Sequence, residues 1–265
     1  MEFIDIGANL GHESFNHDLD AVLDRARAAQ VAQLVLTGAS VDGARRALEI
    51  ASTRPGFLFA TAGLHPHHAA DFNGETEDAF LDLLKAPEMV AVGETGLDYF
   101  RDLSPRTAQI FAFERHLEWA HRLDKPLFLH QRDAHDDFFA CLKAVRDQVG
   151  DVVVHCFTDE RRALFDYLDL DCHIGITGWI CDERRGRHLL ELVPHIPANR
   201  LLIETDAPYL MPRDLPTKSS HRRNEPMYLA HIAAAIARAR QEPLERLAAT
   251  TTENARRFFR LPVTN

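Results

Sequence analysis

Cysteine is scarce, and none of the four (Cys141, Cys156, Cys172, Cys181) stands in a C-x-x-C pair. That argues against a zinc knuckle or a dithiol redox motif and reads as reduced, mostly buried thiols. No apolar run approaches the roughly 20 residues of a membrane span. The opening M-E-F-I-D-I-G carries no basic segment or cleavage site, so a soluble, cytoplasmic protein with no membrane partner is expected. Positive charge is short as well: 30 Lys and Arg against 40 Asp and Glu give a net charge of −10. This disfavours a broad basic surface gripping duplex DNA. It leaves room for a nucleic-acid enzyme whose cationic character is confined to one cleft, where a bound metal adds charge. No G-x-G-x-x-G follows an early strand, which weakens a dinucleotide-binding reading. No linker, low-complexity tract or repeat appears, so residues 1–265 are expected to form one domain, and a monomer is the default.

What the chain does have is a recurring design. Eight short apolar runs, bounded by turn residues, predict buried strands at 3–6, 32–36, 58–64, 90–94, 127–131, 152–157, 172–177 and 201–205. Amphipathic stretches separate them, among them 20–29, 43–51, 106–123 and 137–145, with two more helices near 224–240 and 243–260. Such alternation calls for parallel strands with helical crossovers. Eight units in about 250 residues fit a (β/α)₈ TIM barrel better than an open sheet.

Four of these runs end in a residue able to bind metal: Glu94, His130, His155 and Asp206. In a (β/α)₈ barrel the strand ends share one rim, and alternation places Val90 and Val92 beneath Glu94, Phe128 beneath His130 and Val153 beneath His155. Two imidazoles and two carboxylates on one rim suit a divalent cation. Any one alone reads as a hydrogen-bonded histidine or a helix cap; the four together favour metal. Glu204, two residues before Asp206, either supports a ligand from behind or is turned away by a bulge. His65, ending the third strand in L-H-P-H, points inward with Gly63 and Thr61. It reads as a substrate or metal-water contact, or as a histidine held in a turn by Pro66.

Basic residues gather after the seventh and eighth strands, in D-E-R-R-G-R (182–187) and R-D-L-P-T-K-S-S-H-R-R (213–223). Loops there bind phosphate in many barrels, and arginine's fork suits phosphate oxygens. Arg184, Arg185, Arg222 and Arg223 are therefore candidate substrate contacts, with a solvated charged loop as the plain alternative. Trp179, Phe100 and Tyr209 lie in the same rim loops and could stack on bases.

The motifs G-L-H-P-H (63–67), G-E-T-G-L-D (93–98), L-H-Q-R-D-A (129–134), V-H-C-F (154–157) and E-T-D-A-P-Y-L (204–210) resemble, in order, the TatD family of metal-dependent nucleases. D-I-G-A-N-L (5–10), T-G-W-I-C-D-E-R-R-G (177–186) and R-R-N-E-P (222–226) extend the likeness over almost the whole chain. The resemblance implies a TIM barrel and a divalent-cation-dependent DNase. For the branch these motifs fit best, it implies 3′→5′ exonuclease action on single-stranded DNA and RNA, with Mg²⁺ and a DNA repair role. It makes Glu94, His130 and His155 metal ligands, Asp206 a further ligand or catalytic carboxylate, and His65 an active-site histidine.

One departure stands out. Where many relatives begin D-x-H-x-H, this chain has Asp5, Gly7 and Asn9. Asp5 and Asn9 remain first-strand candidates for the site, and at least one firmly held ion is expected, Mg²⁺ foremost, with Mn²⁺ or Zn²⁺ admitted. Two other classes stay open. The same rim could hydrolyse amides or esters, including aminoacyl-tRNA, since fold does not settle the bond cleaved. A binding protein without chemistry is the third, supported only by the missing histidines.

Overall fold

The computed structural model describes residues 1–216 and 222–263. Its strands are β1 (Phe3–Ala8), β2 (Val31–Leu36), β3 (Leu58–Ala62), β4 (Met89–Asp98), β5 (Leu127–Arg132), β6 (Val152–Val154), β7 (His173–Ile176) and β8 (Leu201–Ile203). They form one parallel sheet in sequence order, the TIM-barrel arrangement expected from the alternation. Nine helices cross between and after them among the described residues: α1 (Leu19–Ala28), α2 (Val41–Ser52), α3 (Gly74–Leu83), α4 (Arg106–Leu123), α5 (His135–Val145), α6 (Arg161–Asp169), α7 (Arg187–Leu192), α8 (Leu229–Arg240) and α9 (Leu244–Phe259). Local chemistry sets several starts. Ser40 accepts from Gly43 N at the head of α2, and Asn73 with Thr76 forms a capping box on α3.

The apolar residues divide into two layers. Ile4, Ile6, Val35, Phe59, Ala91, Phe128, Val153 and Leu202 fill the barrel, and Phe258 and Phe259 from α9 close its floor. The remaining strand residues pack outward against the helices. Phe128 and Val153 lie inside as expected, but Val92 packs outward and Ala91 takes the inner place. The pairing of β4 with β5 shifts register between Val92 and Thr95, at Gly93, so strict alternation fails there.

The seam between β8 and β1 is joined differently from the rest. Seven neighbouring pairs are laddered, and the eighth contact is made just beyond β8, where Asp206 N donates to Gly7 O (2.8 Å) and Asn9 N to Ala207 O (2.6 Å). Asp5, fully buried, clasps it: its carboxylate accepts from Thr205 N (2.9 Å), Thr205 Oγ1 (2.5 Å) and Gly7 N (3.3 Å). Those bonds correct the reading of Asp5 as a contributor to the rim, because they commit the carboxylate to the backbone of β8 and β1. Asp5→Ala strands two amides and a hydroxyl, and a loss of roughly 3 kcal/mol in denaturant unfolding is expected. Burial pushes the Asp5 carboxyl up to about 7, against the bonds from Thr205 and Gly7. Its proton is thus held more tightly folded than unfolded. The resulting stability is full below the ordinary carboxylate range and is lost as pH rises through about 7. That slope should be missing from Asp5→Ala.

Candidate active site

Glycines set where the carboxylate of β4 sits. Gly93 and Gly96 hold φ of +139° and +142°, and a side chain on either would collide with the β5 backbone, at Phe128 and His130 respectively. Their absence of Cβ lets β4 lie close against β5 and run on to Asp98, four residues beyond the predicted end. Glu94 and His130 are brought face to face as a result.

Glu94 Oε1 is the hub. It lies 2.8 Å from His155 Nε2, 3.0 Å from His130 Nδ1 and 3.5 Å from His65 Nε2. The His65 and His130 rings meet edge-on at 4.5 Å, and His155 stacks on Phe128 at 4.4 Å. Four residues from strands or strand ends β3, β4, β5 and β6 therefore converge at one mouth. Asp206 joins them less directly: its recorded partner is Asn9 Nδ2, at 2.9 Å from Oδ1. Asn9 thus reaches the site through Asp206.

A ring of buried acids supports the imidazoles. Glu204, wholly buried, points inward: Oε2 is 3.3 Å from His155 Nδ1, and Oε1 accepts from Cys156 N at 2.5 Å. Glu204 is thus turned toward the site rather than away from it. Its carboxylate fills the volume that a Cβ on Gly7 would enter, and a Cβ on Gly175 would lie 2.6 Å from Oε1. Asp98 and His67 are not among the candidates the sequence singles out, because the expected fourth strand ends at Glu94 and β4 runs on to Asp98. Asp98 Oδ2 is 2.8 Å from His67 Nε2 and 3.4 Å from His130 Nε2. The G-E-T-G-L-D spacing held the signal, since Asp98 follows Glu94 by four residues along one strand.

Burial and charge oppose each other across this cluster. Burial pushes the Glu94 carboxyl up, but His65, His155 and His130 hold it well below the ordinary range. His155 is driven well above the usual imidazole range despite burial, by Glu94 and Glu204. His130 rises too, by Asp98 and Glu94. Burial takes His65 down to about 3, leaving a neutral ring. Asp206 is pushed up to about 7 by burial, against the pull of His155, with Glu94 and Glu204 adding to the rise.

The donor set fits a divalent cation. One ligand atom each from His65, Glu94 and His130 lie within 4.8 Å of one another. His130 Nε2 is buried without a hydrogen-bond partner, because the Asp98 contact is too poorly aligned. Imidazole and carboxylate together serve several divalent metals.

The rim loops sort the predicted substrate contacts. Arg223 corrects expectation: it is held by Asp18 (2.7 and 2.8 Å) and Glu225 (2.7 Å) over the Phe15 ring, so its fork is already filled. Arg185 is paired with Asp182 and lies 4.5 Å from the Trp179 ring centroid. Arg184 and Arg222 are exposed, the guanidinium of Arg184 making only loose contacts to Asp182 and Glu183 while its backbone N donates to Asp182. Residues 217–221 of the second basic run lie outside the described residues. Arg132, unremarked in the sequence, stands between two aromatic rings, 5.0 Å from Phe100 and 5.2 Å from Trp179. Phe100, Arg132, Trp179 and Arg185 thus form a continuous stack from the loop after β4, across the end of β5, to the loop after β7.

Known proteins resemble the chain over almost its full length. The family model described as TatD related DNase matches residues 4–260. A protein of Erwinia billingiae named 3′-5′ ssDNA/RNA exonuclease TatD is 48% identical over 258 residues, 97% of this chain and 99% of its own. One of Edwardsiella piscicida with the same name is 47% identical over the same shares. Among solved structures, a TatD homologue of Escherichia coli K12 superposes with a TM-score of 0.88 at 28% identity, covering 98% of both chains. A TatD family hydrolase of Entamoeba histolytica gives 0.88 at 26%, covering 97% of this chain and 98% of its own.

Proposed function

The chain belongs to the TatD-related DNase family of metal-dependent nucleases, and from that premise we propose that it removes nucleotides from the 3′ ends of single-stranded DNA and RNA. The observation that carries the assignment to this site is one carboxylate oxygen, Glu94 Oε1, ringed by three imidazoles at the barrel mouth. Glu94, His130 and His155 would hold the cation, with Asp206 across the mouth and His65 at its edge. When bound, it supplies Lewis-acid polarisation of the phosphodiester and lowers the pKa of water.

The chain's own groups do the rest. Glu204 fixes the ring of His155 from behind, and Asp98, held by His67, lies beside His130 Nε2 as a nearby negative charge. Asp206, oriented by Asn9, would take the proton of the attacking water and return it to the leaving oxygen. His65, neutral by burial, offers a ring N–H or lone pair to the phosphate or to water without adding charge. The test is a single-stranded oligonucleotide labelled at its 5′ end, incubated with Mg²⁺, Mn²⁺ or Zn²⁺. A ladder shortening from the 3′ end, abolished by chelator and blocked by a 3′-phosphorothioate linkage, is expected. An intact oligonucleotide alongside hydrolysed amide or aminoacyl-tRNA substrates would replace phosphodiesters with acyl bonds as the target.

Bases are expected to lodge on the Phe100–Arg132–Trp179–Arg185 stack. Phe100 is 57% exposed, whereas Trp119, the other of the two tryptophans, is fully buried. Quenching of tryptophan emission by oligonucleotide therefore reports Trp179 alone. With chelator present to prevent cleavage, quenching should saturate in wild type; Phe100→Ala, followed by quenching, and Trp179→Ala, followed by anisotropy of a dye-labelled oligonucleotide because it lacks the reporter, should each weaken binding roughly tenfold, the worth of one stacked base. Unchanged affinity in both would remove the stack from the substrate path.

A further inference from the structure

A second cluster of metal-ligating side chains lies apart from the Glu94 mouth. Cys181 ends the short 3₁₀ turn Gly178–Cys181 after β7, Asp214 sits in the turn after β8, and His231 is the third residue of α8. One ligand atom from each falls within 4.8 Å of the others, and His231 Nε2 is 2.6 Å from Asp214 Oδ1. Three bonds of ordinary length to a first-row metal place ligand atoms about 3.3–3.8 Å apart, so the wider gaps need to close by less than roughly 1.5 Å and the His231–Asp214 pair to open by roughly 1 Å. Cys181 is buried while Asp214 is exposed, which leaves a coordination position open toward solvent on the carboxylate side.

The order of contacts argues against a nucleophilic triad. Such a site needs the imidazole between thiol and acid. Here the carboxylate neighbours both the thiol and the ring, and with burial it pushes the Cys181 thiol up, away from reactivity. A soft sulfur, an imidazole and one carboxylate are instead a donor set for zinc-type ions and a poor one for Mg²⁺.

We propose that Cys181, Asp214 and His231 bind a zinc-class transition metal that pins the loop after β7 to the loop after β8 and to α8. The two loops are already drawn together by Arg213, which contacts Glu183 at 3.4 Å and Asp182 at 3.8 Å. A metal at this point fixes the base of the segment carrying Trp179, Arg184 and Arg185. On coordination the thiol proton leaves to solvent, and the cation is held by thiolate, carboxylate and imidazole.

Co²⁺ is the probe. The full-length protein, stripped by chelator and held in excess Mg²⁺, is titrated with Co²⁺ under reducing conditions. A sulfur-to-cobalt charge-transfer band in the near ultraviolet, saturating at one equivalent and bleached by Zn²⁺, is expected. The Glu94 cluster offers no thiolate of its own, but Cys156 adjoins it through the bond of its N–H to Glu204. The Cys156→Ser variant is therefore the control and should keep the band, whereas Cys181→Ser and His231→Gln should lose it. No band in wild type, a band surviving Cys181→Ser, or one lost in Cys156→Ser alone overturns the site. If Cys181→Ser does not fold by circular dichroism, His231→Gln and Asp214→Asn decide in the same way.

Discussion

Glu94→Gln is expected to lower kcat/KM for oligonucleotide digestion by at least about three orders of magnitude, near 4 kcal/mol of transition-state stabilisation. The substitution preserves shape and removes only charge. That charge is what sets the cluster: the same oxygen meets His155, His130 and His65, and it holds two of those rings above their ordinary pKa range. An amide there cannot draw a cation or balance the imidazoles, and its NH₂ is a donor facing donors. Folding should persist, because the barrel interior around Ile6, Phe128 and Val153 is untouched. The measurement pairs initial rates with quenching of Trp179. Lost turnover with retained quenching places Glu94 in the chemistry, and a rate within tenfold of wild type removes it.

Glu204→Gln should cost roughly 10–100-fold in activity or metal affinity, the usual worth of a group that orients a ligand. Gly7→Ala should cost about as much, for a reason visible only in three dimensions: its methyl would take the place of the Glu204 carboxylate. Gly175 bounds the other side and Cys156 N holds Oε1, so the acid has little room to retreat. The two losses should therefore fail to add. Gly7→Ala in a Glu204→Ala background should be nearly silent, since the obstructed group is gone. Additive losses across this cycle would mean that Gly7 and Glu204 act separately.

Much of this was readable from residue order. All eight strands fall within the expected runs or overlap them, and the 106–123 helix coincides with α4. Strand periodicity sufficed because each run is buried on both faces, leaving its ends marked by glycine, proline or a polar residue. Convergence of Glu94, His130 and His155 followed from the same reasoning. What escaped it depended on contacts between segments remote in sequence. Gly93 breaks the alternation of β4, so Val92 turns outward and Ala91 inward. Asp98 was lost when β4 was ended at its glycines. Arg223 looked like a phosphate ligand until Asp18, some 200 positions earlier, proved to be its partner. Asp5 looked like a rim residue until Thr205 claimed it.

Synthesis runs from the first strand to the last, yet the barrel is fastened between them. Asp5 must wait for Thr205, the place above Gly7 for Glu204, and Asn9 for Asp206. The floor waits longer still, for Phe258 and Phe259. A chain still emerging from the ribosome thus has its histidines and Glu94 in hand but no finished mouth. The nuclease site is complete only once the last strand and α9 have joined the first strand.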